Sequence, residues 1–351
     1  MIVRRRRLSW VYLQKTHQRH CRKGKTIIPK KERNRSIAEW MNSRTLPNPV
    51  DDAHSQGTFF ANEAIRFMES NKSGPFFLWL AFKEPHHPYY FPVEYAGKYK
   101  PADMPLPQGS PEDDRWIPEK FRNLTDDERR GIIAAYYTST EYLDKNVGLV
   151  LDAVKALGLE ENTLVMYLSD NGYLLYDHKR FEKHTAWQEA VHQPLIVKTG
   201  KNPLGASNFN AIVEYVDIVP TILDLLQMPP LKEAQGSSFG HLLYNPDRPH
   251  KEYAFAEYLE DNMAMVSDSE WKYVFATGSR DLGIGYKTGY GPSGVVHHLY
   301  DLTTDPKESK NLAGDTAYFE TLNHYQGLLL PHFPKNPSGC RCVSGGTHDG
   351  G

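Results

Sequence analysis

The sequence has few cysteines and no long apolar run, and each shortage excludes a class of protein. Its 351 residues contain three cysteines, Cys21, Cys340 and Cys342, which lie towards the two ends. Three scattered cysteines form neither a disulfide framework nor a four-ligand zinc site, and they do not indicate a redox compartment. The longest apolar runs, such as FFLWLAF, have the length of a strand. We therefore expect no membrane-spanning segment.

Strong net charge is also absent, because the formal net charge is −2 with 24% charged and 40% hydrophobic residues. This balance is typical of a soluble globular protein with one large domain and a smaller one.

The first 35 residues differ in charge from the rest of the chain, with 13 Lys or Arg and one acid. They could bind a polyanion or be a solvated tail, and an incorrectly assigned start is the third alternative. No nucleic-acid motif accompanies the charge, so we expect no nucleic-acid partner.

Helical and strand-like patterns alternate along the middle of the chain. Apolar spacing predicts helices over Gly57–Glu69 and Thr125–Leu157, and the second opens with the capping box TDDE and ends at Gly158. Apolar runs of strand length predict buried strands in PFFLWLAF, TLVMYL and PLIVKT, and VDIVPTILDLLQM predicts another helix. This alternation favours an α/β fold with a mostly parallel sheet flanked by helices.

Changes in composition divide the chain into four parts. We expect a basic, irregular N-terminal segment at residues 1–50 and an α/β domain at 51–246. AMVSDSEWKYVF and VVHHLYDL are rich in β-forming residues and are joined by a Gly-rich stretch. They predict a small antiparallel β subdomain at 247–330. The polar remainder, 331–351, is predicted to be disordered.

Polar residues follow two of the predicted strands. His86 and His87 come after FFLWLAF, and Asp170 and Asn171 come directly after LVMYL. Ligands of open α/β sheets bind at the carboxyl ends of the strands. A carboxylate beside an amide oxygen suits Ca²⁺ or Mg²⁺, although Asp-Asn-Gly is also common in simple turns. A metal site and a surface turn therefore both remain open.

The order of several segments resembles the sulfatase family of the alkaline phosphatase superfamily, in particular its iduronate-sulfatase-like members. The similar segments include PFFLWLAFKEPHHP, LVMYLSDNGY, DHKRFEK, QPLIV and LYDLTTDPKESKNL, and they extend from about Asp51 to Leu312. The resemblance implies hydrolysis of a sulfate ester, with a sulfated sugar or an aryl sulfate as substrate. It also implies a periplasmic, secreted or lysosomal-like location.

The resemblance assigns roles to individual residues. Asp170 and Asn171 match one pair of ligands of the family's calcium ion, for which magnesium is the alternative. His86, followed by His87-Pro88, matches a histidine that contacts the sulfate and protonates the leaving oxygen. Lys183 matches a sulfate-binding lysine. A cation, a lysine and a histidine would together stabilise the negative charge of sulfuryl transfer.

The resemblance also bears on neighbouring residues. We expect His87 and His178 to bind substrate, with a structural role as the alternative for each. Tyr176 stands where the family has a glycine, in a turn that prefers positive φ. Three aromatic side chains of the long 83–123 loop could stack on a sugar ring: Tyr89, Tyr90 and Trp116.

One expected part of the family's site is missing. The family's nucleophile is a formylglycine made from Cys or Ser in a C-x-P-S-R type motif, and this sequence has no such motif. Asp51-Asp52 does not follow an apolar strand and instead leads into the first helix. We therefore predict no nucleophile, two strand edges left unpaired by a missing first strand, and an inactive chain.

Two other functions remain open from the sequence. A phosphodiesterase or phosphonate hydrolase would use the same scaffold with a different nucleophile. An inactive relative could bind sulfated glycans without turnover, through its lysines and its basic segment.

Overall fold

The structure is a computed structural model that describes residues 2–3, 9–12, 36–200, 204–258, 263–276 and 296–332. Two compact units are present, the first reaching Lys251 and the second beginning at Glu252. The three cysteines, most of the Gly-rich stretch and the predicted tail beyond residue 332 lie outside the described residues. Within the described ranges, no helix is both long enough and apolar enough to cross a membrane.

The first unit contains most of the secondary structure. Its strands are β1 (Ile2–Val3), β2 (Ser9–Tyr12), β3 (Phe76–Trp79), β4 (Leu164–Leu168), β5 (Leu174–Leu175), β6 (Phe181–Glu182) and β7 (Leu195–Lys198). Its helices are α1 (Ile37–Trp40), α2 (Gln56–Asn71), α3 (Glu119–Arg122), α4 (Asp126–Ala156), α5 (Gln188–Val191) and α6 (Ile218–Leu225). The predicted helices and strands are therefore present, with ends shifted by a few residues.

Five of these strands form one sheet in the order β2-β3-β1-β4-β7. β1 is antiparallel to both β3 and β4, so β3 and β4 point in the same direction. Their carboxyl ends therefore lie at the same edge of the sheet. β5 and β6 form a separate two-stranded hairpin beyond β4.

The α/β class is confirmed, but two details of the sheet differ from the expectation. Of the four pairings between its described strands, only that of β2 with β3 is parallel. β7 is antiparallel to β4 because residues 169–194 contain a short hairpin and a single helical turn, rather than the crossover helix that a parallel return requires. The two strand edges expected to be unpaired are joined by β1, so residues 1–50 are not wholly irregular.

Helices cover both faces of the sheet. Phe76 and Leu78 of β3 pack with Met68 of α2 and Val150 of α4 in one apolar cluster. The alternate residues of β4, Leu164 and Met166, face the opposite side and pack against Ile218 and Ile222 of α6. Because side chains alternate along a strand, each strand contributes to both cores.

Helix α4 illustrates how local sequence determines an element's ends. The Thr125 side chain accepts a hydrogen bond from the Glu128 N–H, and Glu128 accepts one from the Thr125 N–H. This reciprocal capping satisfies N–H groups that would otherwise lack partners. Gly158 follows the helix with a left-handed φ of +67°, a conformation that glycine adopts at little cost.

The second unit is built around a four-stranded antiparallel sheet, which confirms the predicted β subdomain. Its strands are β8 (Ala254–Tyr258), β9 (Met263–Ser267), β10 (Trp271–Ala276) and β11 (Val296–Asp301), in the order β11-β10-β9-β8. Helix α7 (Phe319–Leu329) packs Tyr325 and Leu329 into its core. Glu308 is not a surface charge, because its buried carboxylate lies 2.7 Å from the buried Lys272 ammonium.

Candidate active site

The predicted site residues lie beyond the carboxyl ends of two strands of the sheet. His86 and His87 follow β3, while Asp170 and Asn171 follow β4. Since these two strands point the same way, both polar segments begin at the same edge. This is the edge at which α/β sheets bind ligands.

His86 is exposed and has a fixed tautomer. Its Nδ1 lies 2.7 Å from the carbonyl oxygen of His87. A carbonyl oxygen only accepts, so Nδ1 carries a hydrogen and donates it. In neutral His86 the other nitrogen, Nε2, is then the proton acceptor, and in the cation it is a second donor.

His87 is buried beside His86 in an electropositive environment. Its ring centroid lies 4.2 Å from that of His86, and its own side chain is 5% exposed. Burial lowers the pKa of His87 to about 3, assisted by the positive charges of His86, Lys120 and Lys183. His87 is therefore neutral at physiological pH, whereas the groups around it are positively charged or can become so.

Lys183 is brought to Asn171 by the β5–β6 hairpin. The hairpin pairs Leu174 with Glu182, which returns the chain to the end of β4. The Lys183 Nζ donates a hydrogen bond of 2.5 Å to the Asn171 Oδ1. Two residues twelve positions apart in sequence thus form one polar contact at the sheet edge.

The hairpin turn uses backbone conformations that side-chain-bearing residues rarely adopt. Tyr176, His178 and Lys179 have φ values of 77°, 50° and 55°. The positive φ predicted for Tyr176 is confirmed, and such conformations cost about 1 kcal/mol or more per residue. The Tyr176 N–H donates to the Arg180 carbonyl at 2.9 Å, and the Arg129 guanidinium lies 4.6 Å from the Tyr176 ring. These contacts stabilise the turn that precedes Lys183.

Asp170 is exposed at the end of β4. Within the part of the chain that the structure describes, no group donates a hydrogen bond to its carboxylate or forms an ion pair with it. Burial, and then the Asp170 charge, raise the pKa of Tyr215 to about 12. The carboxylate is therefore available to a ligand.

The side-chain oxygens of Asp170 and Asn171 are the kind of ligand atom that binds a hard cation. A carboxylate oxygen and an amide oxygen are suitable ligands for Ca²⁺, which takes six to eight oxygens in proteins. Asp170 offers the carboxylate oxygen and Asn171 the amide oxygen. The amide oxygen also accepts a hydrogen bond from Lys183. These residues could therefore hold one side of a calcium site, with the remaining ligands coming from other groups.

His178 lies in a buried pocket away from solvent. Its Nδ1–H donates to the Asp113 Oδ1 at 3.0 Å, and its Nε2 lies 3.8 Å from the Glu189 Oε2. Its ring is stacked on Trp187 at 4.1 Å, with an interplanar angle of 4°. Burial would raise the pKa of Asp113, but hydrogen bonds from His178 and the Ser110 N–H lower it below the usual value. These contacts are structural, and substrate binding by His178 stays a prediction.

Lys120 and Glu182 were not identified from the sequence. The Glu182 carboxylate is 3% exposed and forms an ion pair with Lys120 of α3. The charge of Lys120 contributes to the low pKa of His87, which indicates that α3 approaches the site. Lys120 lies in a long Pro-rich stretch without a motif, so no local signal in the sequence could have revealed this pairing.

The aromatic residues predicted to stack on a sugar are arranged differently. Tyr89 is fully buried, and its hydroxyl lies 2.7 Å from that of Tyr173, so stacking by Tyr89 on a ligand is excluded. Trp116 packs against the buried cluster that contains Trp187. Tyr90 is partly exposed, with the Lys83 ammonium 5.4 Å from its ring centre. Of the three, stacking on a sugar stays a prediction for Tyr90.

An α/β sheet covered on both faces, with polar side chains following two strands at one edge, is the alkaline phosphatase-like architecture. Comparisons with known proteins identify the family. A sulfatase family model matches residues 21–228, and a model for the C-terminal region of N-sulphoglucosamine sulphohydrolase matches residues 176–330. The chain belongs to the sulfatase family.

Individual relatives agree with this assignment. An arylsulfatase of Clostridium perfringens is 26% identical over 292 residues, which are 77% of this chain and 56% of that protein. A phosphonate monoester hydrolase of Agrobacterium radiobacter has a TM-score of 0.68 and 22% identity, covering 83% of this chain and 62% of its own. A structure in complex with its substrate D-glucosamine-2-N,6-O-disulfate also has a TM-score of 0.68, with 18% identity and coverages of 78% and 68%. The chain spans about half the length of the curated relatives that it matches.

Proposed function

We propose that the site at the ends of β3 and β4 binds the sulfate group of a sulfate ester and takes part in its hydrolysis, with a sulfated carbohydrate as substrate. The observation that carries this proposal is the contact of Lys183 with Asn171 beside the unpartnered Asp170 carboxylate. Family membership supports the reaction type, and an extracytoplasmic or lysosomal-like location is proposed on the same ground.

The proposed roles follow from the charges. The Lys183 ammonium binds sulfate oxygens and stabilises the charge that develops on them. His86 donates a hydrogen bond from Nε2 to the bridging oxygen when its ring is protonated, because Nδ1 is already used by the His87 carbonyl. Asp170 and Asn171 would hold a Ca²⁺ or Mg²⁺ ion, which when bound would supply positive charge that stabilises the sulfate. The family's formylglycine nucleophile has no counterpart in this sequence.

A phosphonate or phosphodiester hydrolase is the second candidate function. A lysine, a histidine and a hard cation bind tetrahedral phosphorus oxyanions as readily as sulfate. The likeness to a phosphonate monoester hydrolase favours this alternative, although at 22% identity it shows the fold alone. Binding without turnover is the third outcome, since no residue here matches the nucleophile.

Calorimetric titration of the purified chain with inorganic sulfate, in the presence of Ca²⁺, tests the proposal. Wild type should bind sulfate, and Lys183→Ala should weaken binding by about tenfold, since a charge-assisted hydrogen bond contributes about 1.5 kcal/mol. Lys198→Ala is the matched control, because Lys198 is a half-exposed lysine of β7 that pairs with Glu160. Equal affinity in all three proteins would contradict the proposal, and much tighter binding of phosphate would favour the second candidate.

A further inference from the structure

The short helix α1 places one aromatic side chain in contact with the histidines of the site. The Trp40 ring centroid lies 5.5 Å from that of His87, at an interplanar angle of 66°. His87 in turn lies 4.2 Å from the exposed His86. Trp40, His87 and His86 thus form a continuous row of rings that reaches the proposed sulfate-binding residues.

Trp40 lies on the solvent-exposed side of α1. Ala38 and Met41 are buried in the apolar cluster that includes Tyr89, whereas 39% of Trp40 is exposed. Large aromatic side chains contribute most of their stabilising energy when they are covered, and this part of the Trp40 ring is not covered by the protein. A ligand that covers the ring would therefore gain free energy.

Helix α1 is firmly attached to α4, so Trp40 has a defined position. The Ser36 side chain caps α1 by accepting a hydrogen bond of 3.2 Å from the Glu39 N–H. The Thr45 hydroxyl donates to the Gly131 carbonyl of α4 at 3.2 Å. A Cβ atom at Gly131 would lie 1.7 Å from the Ser43 carbonyl oxygen, so this close approach requires glycine. Binding to a fixed ring costs little conformational entropy.

We propose that Trp40 is a specificity-determining residue that binds the sugar ring of a sulfated pyranoside whose sulfate lies against His86 and Lys183. This inference rests on the proposed function and names the part of the substrate that Trp40 recognises. The C–H face of a pyranose carries slight positive charge and is attracted to the negative face of an indole ring. The exposed Lys83, whose ammonium lies 5.4 Å from the centre of the Tyr90 ring, is available to the sugar's polar groups.

Two sulfate esters separate the contribution of the sugar from that of the sulfate. N-acetylglucosamine 6-sulfate has a pyranose ring, whereas methyl sulfate does not. In calorimetric titrations with Ca²⁺ present, Trp40→Ala should weaken binding of the sugar sulfate about tenfold and that of methyl sulfate less than about twofold. Trp40→Phe should restore most of the sugar affinity, because it keeps an aromatic face.

Tyr244→Ala is the control, since Tyr244 is an exposed aromatic residue of the same unit and should change neither affinity. Equal losses for both ligands in Trp40→Ala, or no loss for either, would overturn the inference. A wild-type chain that binds methyl sulfate but not the sugar sulfate would overturn it while leaving the proposed binding of a sulfate ester intact. A chain that binds neither ligand would contradict the proposed function itself, and the inference would fall with it.

Discussion

Two polar clusters of the first unit contain the same kinds of side chain but differ in their hydrogen bonding. Asp217 is fully buried, and its carboxylate accepts from the backbone N–H groups of Glu214 and Ser237, each at 2.9 Å. Lys251 lies 2.8 Å from the same carboxylate, and His250 lies 3.2 Å from it. Burial would raise the pKa of Asp217, but these hydrogen bonds lower it.

The cluster at the ends of β3 and β4 has the opposite character. Asp170 is exposed and has no hydrogen-bond or ion-pair partner among the residues that the structure describes, and His86 is also exposed. The comparison shows that a lysine, a histidine and an acid close together do not by themselves identify a site. A carboxylate whose oxygens are fully bonded holds the chain together, whereas an open carboxylate is available to a ligand.

The largest effect is expected at the buried cluster. Asp217→Ala would leave two backbone N–H groups unbonded and would remove one of the two carboxylates that pair with Lys251, the other being that of Glu214. We expect a loss of about 3–5 kcal/mol in the free energy of unfolding, measured by urea denaturation at pH 7. Asp170→Asn is the comparison variant and should change stability by less than about 0.5 kcal/mol. Similar losses for both variants would remove the distinction between the clusters.

The next effect is a dependence of stability on pH through His87. The pKa of His87 is about 3 in the folded protein, against an ordinary value of 6.5. Between these values the unfolded chain binds a proton that the folded chain does not, so stability falls as the pH is lowered through this window. In His87→Gln the slope of unfolding free energy against pH should be smaller, by up to about 1.4 kcal/mol per pH unit. Identical slopes from pH 6.5 to pH 4 would show that His87 is not held neutral.

A smaller effect is expected for the hydroxyl pair behind the site. Tyr173→Phe removes the partner of the fully buried Tyr89 hydroxyl, which lies 2.7 Å from the Tyr173 hydroxyl. Leaving that group unbonded should lower the free energy of unfolding by about 1–3 kcal/mol. Tyr137→Phe, at an exposed tyrosine of α4, provides the control. No difference between the two variants would show that the hydroxyl pair contributes nothing.

Patterns within a single element could be predicted from the sequence, and contacts between distant elements could not. The capping box at Thr125 and the strand in LVMYL follow from a few neighbouring residues, and the left-handed Tyr176 follows from the family resemblance. The structure has each of them. The pairing of Lys120 with Glu182 depends on how a long loop folds over the site. The position of Trp40 beside His87 likewise depends on how α1 packs against α4.

The direction of strands was the weakest part of the prediction for the same reason. An apolar run indicates that a strand is buried, but its direction is determined by the connection that precedes it. Polar residues at strand ends were more informative, because the strand before each of them had a clear pattern. The positions of His86, Asp170 and Asn171 after β3 and β4 could therefore be predicted, whereas the burial of His178 depends on contacts with Asp113 and Trp187 that no local pattern reveals.

Calorimetric titration with Ca²⁺ tests most directly whether the open cluster binds a ligand. Wild type should bind Ca²⁺, and Asp170→Asn should lose at least about tenfold in affinity, because an amide replaces a charged ligand of a hard cation. Asp152→Asn, at an exposed position of α4, should bind as wild type does. Equal binding by all three proteins, or no binding by wild type, would contradict the assignment of the strand-end cluster as the ligand site.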